Sequence, residues 1–219
     1  ESQVTVDRVI GGFRTCSGLS PLGREQTARL RDRLESTAEL QDPVLISSNF
    51  ERAIETAQII APAFGSEELA DDAVSIDPGF GEHDPGPALD GVSFDEYVER
   101  FGAPDWGGDP HYEIFPGGET LAQFHLRVGS SLSRTLGEHE GRLIVISCHG
   151  GVVDAVFRQL MKSVPTGLFD LWTLNTSITE FLLPASSSRS NWRLVRYNDA
   201  GHLAGLPAAT ERTGTSAQQ

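Results

Sequence analysis

The sequence predicts a three-layer α/β/α fold, with a mostly parallel β-sheet and helices on both faces. Short apolar runs that suit buried strands alternate along the chain with amphipathic stretches that suit helices. The strand candidates, such as "VLIS" and "RLIVIS", are continuously apolar, which is typical of parallel strands covered on both faces. Ligands of such sheets gather outside the carboxyl ends of the strands, so functional residues are expected there.

The first part of the chain predicts two helices on either side of a strand. "LSPLGREQTARLRDRLEST" predicts a helix capped by Ser20, with Pro21 in its first turn. "PVLIS" predicts a short buried strand, and "SNFERAIETAQIIAPAFG" predicts a helix capped by Ser48 or Asn49 that ends near Pro62. The apolar stripe of the first helix is Leu22, Ala28, Leu30 and Leu34.

The rest of the chain continues the alternation after a long loop. "AVSIDPGFGEHDPG" predicts a short strand that leads into the loop, and "FDEYVERFG" predicts a short helix. A long helix over "TLAQFHLRVGSSLSRTLGEHEG", a strand "RLIVIS" and a helix "GVVDAVFRQLMKS" follow. "SITEFLLP" and "NWRLVRYN" predict two strands with "ASSSRS" as their turn. We expect residues 1–203 to form one domain and residues 204–219 to be a disordered tail.

Composition narrows the class of partner. The formal net charge is -14 and the pI is about 4.7, which argues against nucleic acid or an anionic membrane as a partner. No apolar run approaches the roughly 18 residues of a membrane span. A small anionic substrate remains compatible, because a few arginines in a pocket can reverse the local field. A homodimer is left open.

The two cysteines, Cys16 and Cys148, form no C-x-x-C pair, and nothing demands a disulfide between them. A reducing cytoplasm is the simpler expectation. Cys148 precedes His149, which raises the idea of a nucleophilic thiol. A buried cysteine at the end of a strand is the favoured interpretation.

Two strand-to-helix junctions share one design. In "VLISSNFERAIETA" and "LIVISCHGGVVDAV" an apolar strand ends in serine, and a nitrogen-bearing side chain follows near the helix start. These side chains are Arg52 and His149. Free N–H groups at helix starts bind anions, Gly150 and Gly151 allow close approach, and arginine grips phosphate with two N–H groups. Taken singly, Arg52 could be a solvated residue and His149 a core residue, and physical reasoning alone leaves both interpretations open.

Five motifs in order resemble the histidine phosphatase superfamily, in its phosphoglycerate mutase-like branch. They are "LSPLGREQTARL", "ISSNFERAIETAQIIA", "GFGEHDPG", "FPGGETLAQFHLRV" and "VISCHGGVVDAVFRQL". The late segment "LNTSITEF" also fits, so the resemblance covers about residues 1–199.

The resemblance implies a mechanism and site residues. A histidine in an Arg-His-Gly motif would take the phosphoryl group, and a carboxyl group would protonate the leaving oxygen. Arg52 and His149 resemble the arginine and second histidine that hold the phosphate, with Gly150 beside them, and Glu82 resembles the proton donor. No cofactor or metal is implied.

The sequence departs from the family at the nucleophile, because it contains no Arg-His-Gly. It begins Glu1-Ser2, where the family motif commonly continues with Glu and Ser or Thr. We therefore expect a first strand and the nucleophile to lie upstream, and the chain as given to be inactive without them. Thr5 replaces an asparagine often found in the family.

Other residues give weaker candidates. A metal site of His83, Glu82, Asp84 and His111 has no recognisable ligand spacing, and His83 is expected to orient Glu82 or line the pocket. Glu119 is expected to cap its helix. Aromatic residues of the loops are candidate pocket walls, although most would anchor the loops to the core: Phe80, Phe94, Trp106, Tyr112 and Phe115.

The sequence thus predicts a phosphomonoester hydrolase that acts through phosphohistidine on a small phosphorylated metabolite. A phosphoglycerate mutase-type phosphotransferase is the nearest alternative, although the middle loops hold one arginine, Arg100, and no lysine. A non-catalytic phospholigand-binding relative is the third possibility. A strand ending in Arg-His-Gly directly before Glu1 would favour the phosphatase or the mutase over the non-catalytic relative.

Overall fold

The computed structural model describes residues 1–65, 74–167, 169–184 and 191–207. Within these ranges the helices are α1 (Gln3–Val6), α2 (Pro21–Thr37), α3 (Glu51–Ile60), α4 (Phe94–Phe101), α5 (Leu121–Glu138) and α6 (Gly150–Leu160). The strands are β1 (Val44–Ser47), β2 (Ser75–Ile76), β3 (Ile144–Ser147), β4 (Ile178–Leu182) and β5 (Arg193–Asp199). The predicted helices and strands in these ranges are confirmed. The predicted turn "ASSSRS" and residues 208–219 lie outside the described residues, so the disordered tail stays a prediction, as do the domain bounds.

The sheet is parallel where it carries the two junctions. β1 lies between β2 and β3, and both pairings are parallel. β4 and β5 form a separate antiparallel pair. The three-layer arrangement follows from alternation along β1: Leu45 packs with α2 and α3, whereas Ile46 packs with α5 and α6. Helices therefore cover both faces, as predicted.

Helix ends follow local sequence with one exception. Ser20 caps α2 by accepting a hydrogen bond from the backbone N–H of Gly23, as predicted. The predicted cap of α3 is wrong: the N-cap residue is Phe50, without a side-chain cap. Ser48 instead accepts a hydrogen bond from the backbone N–H of Phe50 and turns its hydroxyl towards His149. A contact with the histidine of the second junction thus replaces an ordinary helix cap.

An ionic network joins the antiparallel pair to α2. Arg33 contacts Asp199 at 2.6 Å and Glu39 at 2.8 Å, and Arg196 pairs with Glu39 and, at 2.8 Å, with Glu180. The hydrogen bond from Arg33 holds the pKa of Asp199 well below its usual range. The network thereby fixes β4 and β5 against the end of α2.

Two leucines on opposite sides of the fold should contribute very differently to the free energy of unfolding. Leu34 is 2% exposed in the core beneath α2, whereas Leu126 on the outside of α5 is 72% exposed. Leu34→Ala should lower the free energy of unfolding by about 2–5 kcal/mol through lost burial and a cavity. Leu126→Ala should change it by less than about 0.5 kcal/mol. Urea unfolding followed by circular dichroism measures both, and equal effects would contradict the assigned core.

Candidate active site

The two predicted junctions lie side by side. Ser47 of β1 and Ser147 of β3 are register partners, and the backbone N–H of Ser48 donates to the carbonyl of Ser147 at 3.0 Å. Helices α3 and α6 therefore begin next to each other at the same edge of the sheet. This arrangement brings the side chains of Arg52 and His149 into contact.

Both ring nitrogens of the buried His149 contact neighbouring side chains. Nε2 lies 2.7 Å from Oγ of Ser48, and Nε of Arg52 donates to Nδ1 at 3.3 Å. Because arginine can only donate, Nδ1 must accept, which assigns the proton of the neutral ring to Nε2. The Phe50 ring packs edge-on against His149 at 4.8 Å, and the Arg52 guanidinium lies 4.6 Å from the centre of that ring. The histidine is thus held in one orientation beside the arginine.

The N-terminal loop reaches this site through Cys16. Its Sγ accepts from Nη1 of Arg52 at 3.4 Å and from the backbone N–H of the same residue at 3.5 Å. Cys16 and Cys148 are both free thiols. Burial raises the pKa of Cys148 to about 12, and the nearby Glu82 carboxylate adds to the shift. Cys148 is therefore a protonated thiol, which supports the packing interpretation.

Glu82 lies against the first turn of α6, close to the junction that carries His149. Its Oε2 accepts from the backbone N–H of Gly151 at 3.3 Å, and its Oε1 accepts from the N–H of His83 at 3.1 Å. A Cβ atom on Gly151 would lie 2.3 Å from Oε1, so only glycine leaves room for the carboxylate there. Helix α6 begins at Gly150, and the backbone N–H groups of its first turn attract anions. The Glu82 carboxylate lies at this first turn, where it contacts the N–H of Gly151.

Arg127 holds the segment that carries Glu82. Its guanidinium donates to the carbonyls of Gly79 and Gly81, each at 3.1 Å, and to that of Glu82 at 3.3 Å. It also pairs with Glu119 at 2.7 Å. Sequence reasoning missed Arg127, since an arginine on a helix is usually solvated. Its place five residues before the buried Leu132 gives no signal of carbonyl partners on another segment.

The predicted cap by Glu119 is wrong. Thr120 is the N-cap of α5, in a reciprocal capping box with Gln123. The Glu119 carboxylate instead accepts from Arg127 and from the backbone N–H of Asp84 at 3.3 Å. It supports the loop after Glu82 rather than the helix end.

His83 lies in an aromatic cluster next to Glu82. The ring is 8% exposed, and its centre lies 5.6 Å from those of Trp106 and Phe124 and 5.7 Å from that of Phe115. Neither ring nitrogen has a hydrogen-bond partner among the described residues. Burial lowers the pKa of His83, so the neutral ring is favoured.

The other aromatic candidates divide as the sequence suggested. Phe80 and Phe115 are buried core residues, whereas Trp106 and Tyr112 are exposed. Among the described residues, no group of three or more His, Cys, Asp or Glu side chains could hold a metal ion. No described helix is both long and apolar enough to cross a membrane.

The molecule is an α/β protein whose histidine, arginine and glutamate side chains gather at adjacent helix starts, at the edge of a parallel sheet where ligands commonly bind. The chain belongs to the histidine phosphatase superfamily (branch 1), whose profile matches residues 1–200. The family resemblance of the motifs is thereby confirmed.

Known relatives cover most of the chain. It is 28% identical to phosphoglycerate mutase-like protein 4 of Arabidopsis thaliana, over 84% of this chain and 76% of that protein. It is 25% identical to the metal-independent phosphoserine phosphatase of the same plant, over 87% and 74%. The solved mycobacterial glucosyl-3-phosphoglycerate phosphatase superposes with a TM-score of 0.67 at 25% identity, over 87% of this chain and 92% of that one.

Proposed function

We propose that the protein is a phosphomonoesterase that acts on a small phosphorylated metabolite through a phosphohistidine intermediate. The observation that supports it most is the contact between Arg52 and His149 at the starts of α3 and α6. In this arrangement one phosphate can contact the Arg52 and His149 side chains and the starts of α3 and α6. Such preorganised donors stabilise the charge of a transferring phosphoryl group.

The substrate phosphate would take over contacts that the site now makes within itself. The Arg52 guanidinium donates two N–H groups to phosphate oxygens, and His149 donates a third from Nδ1, the ring nitrogen that lies beside Arg52. The backbone N–H groups at the starts of α3 and α6 complete the shell. The histidine contact needs a proton on Nδ1, which a phosphate anion beside the ring favours.

Glu82 would act as the general acid. When the nucleophilic histidine bonds to phosphorus, the bond from phosphorus to the ester oxygen breaks, and that oxygen takes the proton of the Glu82 carboxyl group. Water then attacks the phosphohistidine with Glu82 as base, which returns the histidine and releases phosphate. A phosphate beside Glu82 favours the protonated carboxyl, since two anions close together repel.

The nucleophile is not assigned to a residue of this sequence. No Arg-His-Gly occurs among the 219 residues, and the ring of His83 is enclosed by aromatic side chains. We propose phosphate binding for Arg52 and His149 and proton donation for Glu82, and we assign the phosphohistidine to no residue. The free thiols fit the cytoplasm, which we propose as the compartment.

The alternatives make different demands on the loops. A phosphoglycerate mutase-type reaction must hold a substrate carboxylate as well as the phosphate. The one arginine between Asp77 and Gly118, Arg100, pairs with Glu96 at 3.2 Å on the exposed side of α4. This favours a phosphatase over a mutase. A non-catalytic phospholigand-binding protein would show the same anion binding without turnover.

Inorganic phosphate should protect the protein against thermal unfolding. At about ten times its Kd, phosphate that binds only the folded state stabilises it by about 1.4 kcal/mol. For a chain of this size that corresponds to a rise in Tm of about 3–6 °C. Differential scanning fluorimetry measures the shift, with chloride at equal ionic strength as the control. Equal Tm values in millimolar phosphate and chloride would contradict the pocket.

A further inference from the structure

The loops next to the anion site combine an aromatic wall with excess negative charge. The wall begins at the start of α6, where Phe124 lies close to Gly151, with 3.3 Å between its ring edge and a Cβ built there. His83 packs on Phe124, and Trp106 packs on His83. Trp106 is 43% exposed, so the wall extends from the anion site to the surface.

The charges around this wall would repel a second anionic group. Residues 77–118 contain ten Asp and Glu residues and one arginine, Arg100. Three of these carboxylates pair with arginines of other segments: Asp77, Asp90 and Asp95. The rest leave the loops acidic. Glu82 and Glu119 both act electrostatically on His83. The guanidinium of Arg127 is already occupied by Glu119 and by backbone carbonyls. A carboxylate on the leaving group would therefore meet acidic side chains and a neutral imidazole.

The aromatic wall carries no charged side chain and therefore suits an uncharged leaving group. The nitrogens of His83 are buried without a hydrogen-bond partner among the described residues, and the rings around them are apolar. A flat apolar or aromatic group can stack on Trp106 and shed water there, whereas a charged group loses hydration without a counter-ion.

From this we propose that the substrate is the phosphate ester of an uncharged, apolar alcohol whose hydrocarbon part packs against Trp106, the exposed end of the aromatic wall. The inference rests on the proposed phosphate site at Arg52 and His149, and it names the substrate class of that site. Carboxylate-bearing esters such as phosphoserine and phosphoglycerate are disfavoured.

Non-hydrolysable phosphonates test this preference without requiring turnover. Isothermal titration calorimetry would compare benzylphosphonate, phosphonoacetate and inorganic phosphate on the same protein. Benzylphosphonate should bind at least about tenfold more tightly than phosphonoacetate. Trp106→Ala should weaken benzylphosphonate relative to inorganic phosphate by about tenfold, because the stacking surface is lost. Trp172→Ala removes a tryptophan that is 65% exposed on a different loop and should leave the preference unchanged.

The outcomes separate the two proposals. Tighter binding of phosphonoacetate, or a preference that survives Trp106→Ala, would overturn the apolar substrate class while leaving the phosphate site intact. Absence of phosphate binding would overturn the proposed function and this inference together. A preference lost equally in Trp172→Ala would also refute the role of Trp106.

Discussion

Replacing His149 with alanine should lower kcat/KM for phosphomonoesters by about 10²–10³-fold without unfolding the protein. The imidazole is buried between Ser48 and Arg52 at the start of α6. Its removal deletes a donor to the phosphoryl oxygens. It also removes the ring nitrogen that accepts the hydrogen bond from Nε of Arg52. Steady-state kinetics with a phosphomonoester substrate measures the loss.

The control for this variant is His139→Ala. His139 is the C-cap of α5, and its backbone N–H contacts Thr135 within that helix. It should retain turnover and phosphate binding, and thermal melting should show both variants folded. Near wild-type turnover in His149→Ala would remove this residue from the active site.

Glu82→Gln should slow alkyl phosphates far more than p-nitrophenyl phosphate. A positioned general acid contributes about 10²–10⁴-fold when the leaving group must be protonated. Nitrophenolate leaves readily as an anion, so we expect its kcat to fall by less than about tenfold. The amide of glutamine can still accept from Gly151, so the start of α6 keeps its partner.

The ratio of the two substrate rates is the informative measurement. Glu138→Gln, at the exposed end of α5, supplies a matched charge change away from the site and should leave both rates unchanged. Equal slowing of the two substrates by Glu82→Gln would argue against proton donation and for a purely structural role at the helix start.

The sequence predicted the fold well because its strands and helices have strong local signals. The continuous apolar strands around Leu45 and Ile146 and the serine-proline start of α2 each specify one structure. The pairing of β1 with β3 then follows from parallel topology, which brings Arg52 to His149. Motif resemblance supplied Glu82, which spacing alone could not.

The missed and misassigned contacts depend on segments distant in the chain. Arg127 donates to carbonyls nearly fifty residues earlier in the chain. Glu119 pairs with Arg127 and does not cap α5. Ser48 has the residue type of a helix cap, but its hydroxyl contacts His149, the N-cap residue of α6. A serine or glutamate at such a position can either cap its own helix or contact another segment, and local propensity is similar for both. The tertiary partner decides which contact forms.

The segment held by Arg127 has a consequence for how substrate preference can change. Glu82 and His83 are adjacent: one carboxylate faces the start of α6, and the next ring supports Trp106. A substitution that reshapes the aromatic wall therefore displaces the backbone of its neighbour. Directed evolution of this protein towards new esters should meet a trade-off between selectivity and rate within these two positions. Paired changes that include Arg127 or Glu119 are the natural route to relieve it.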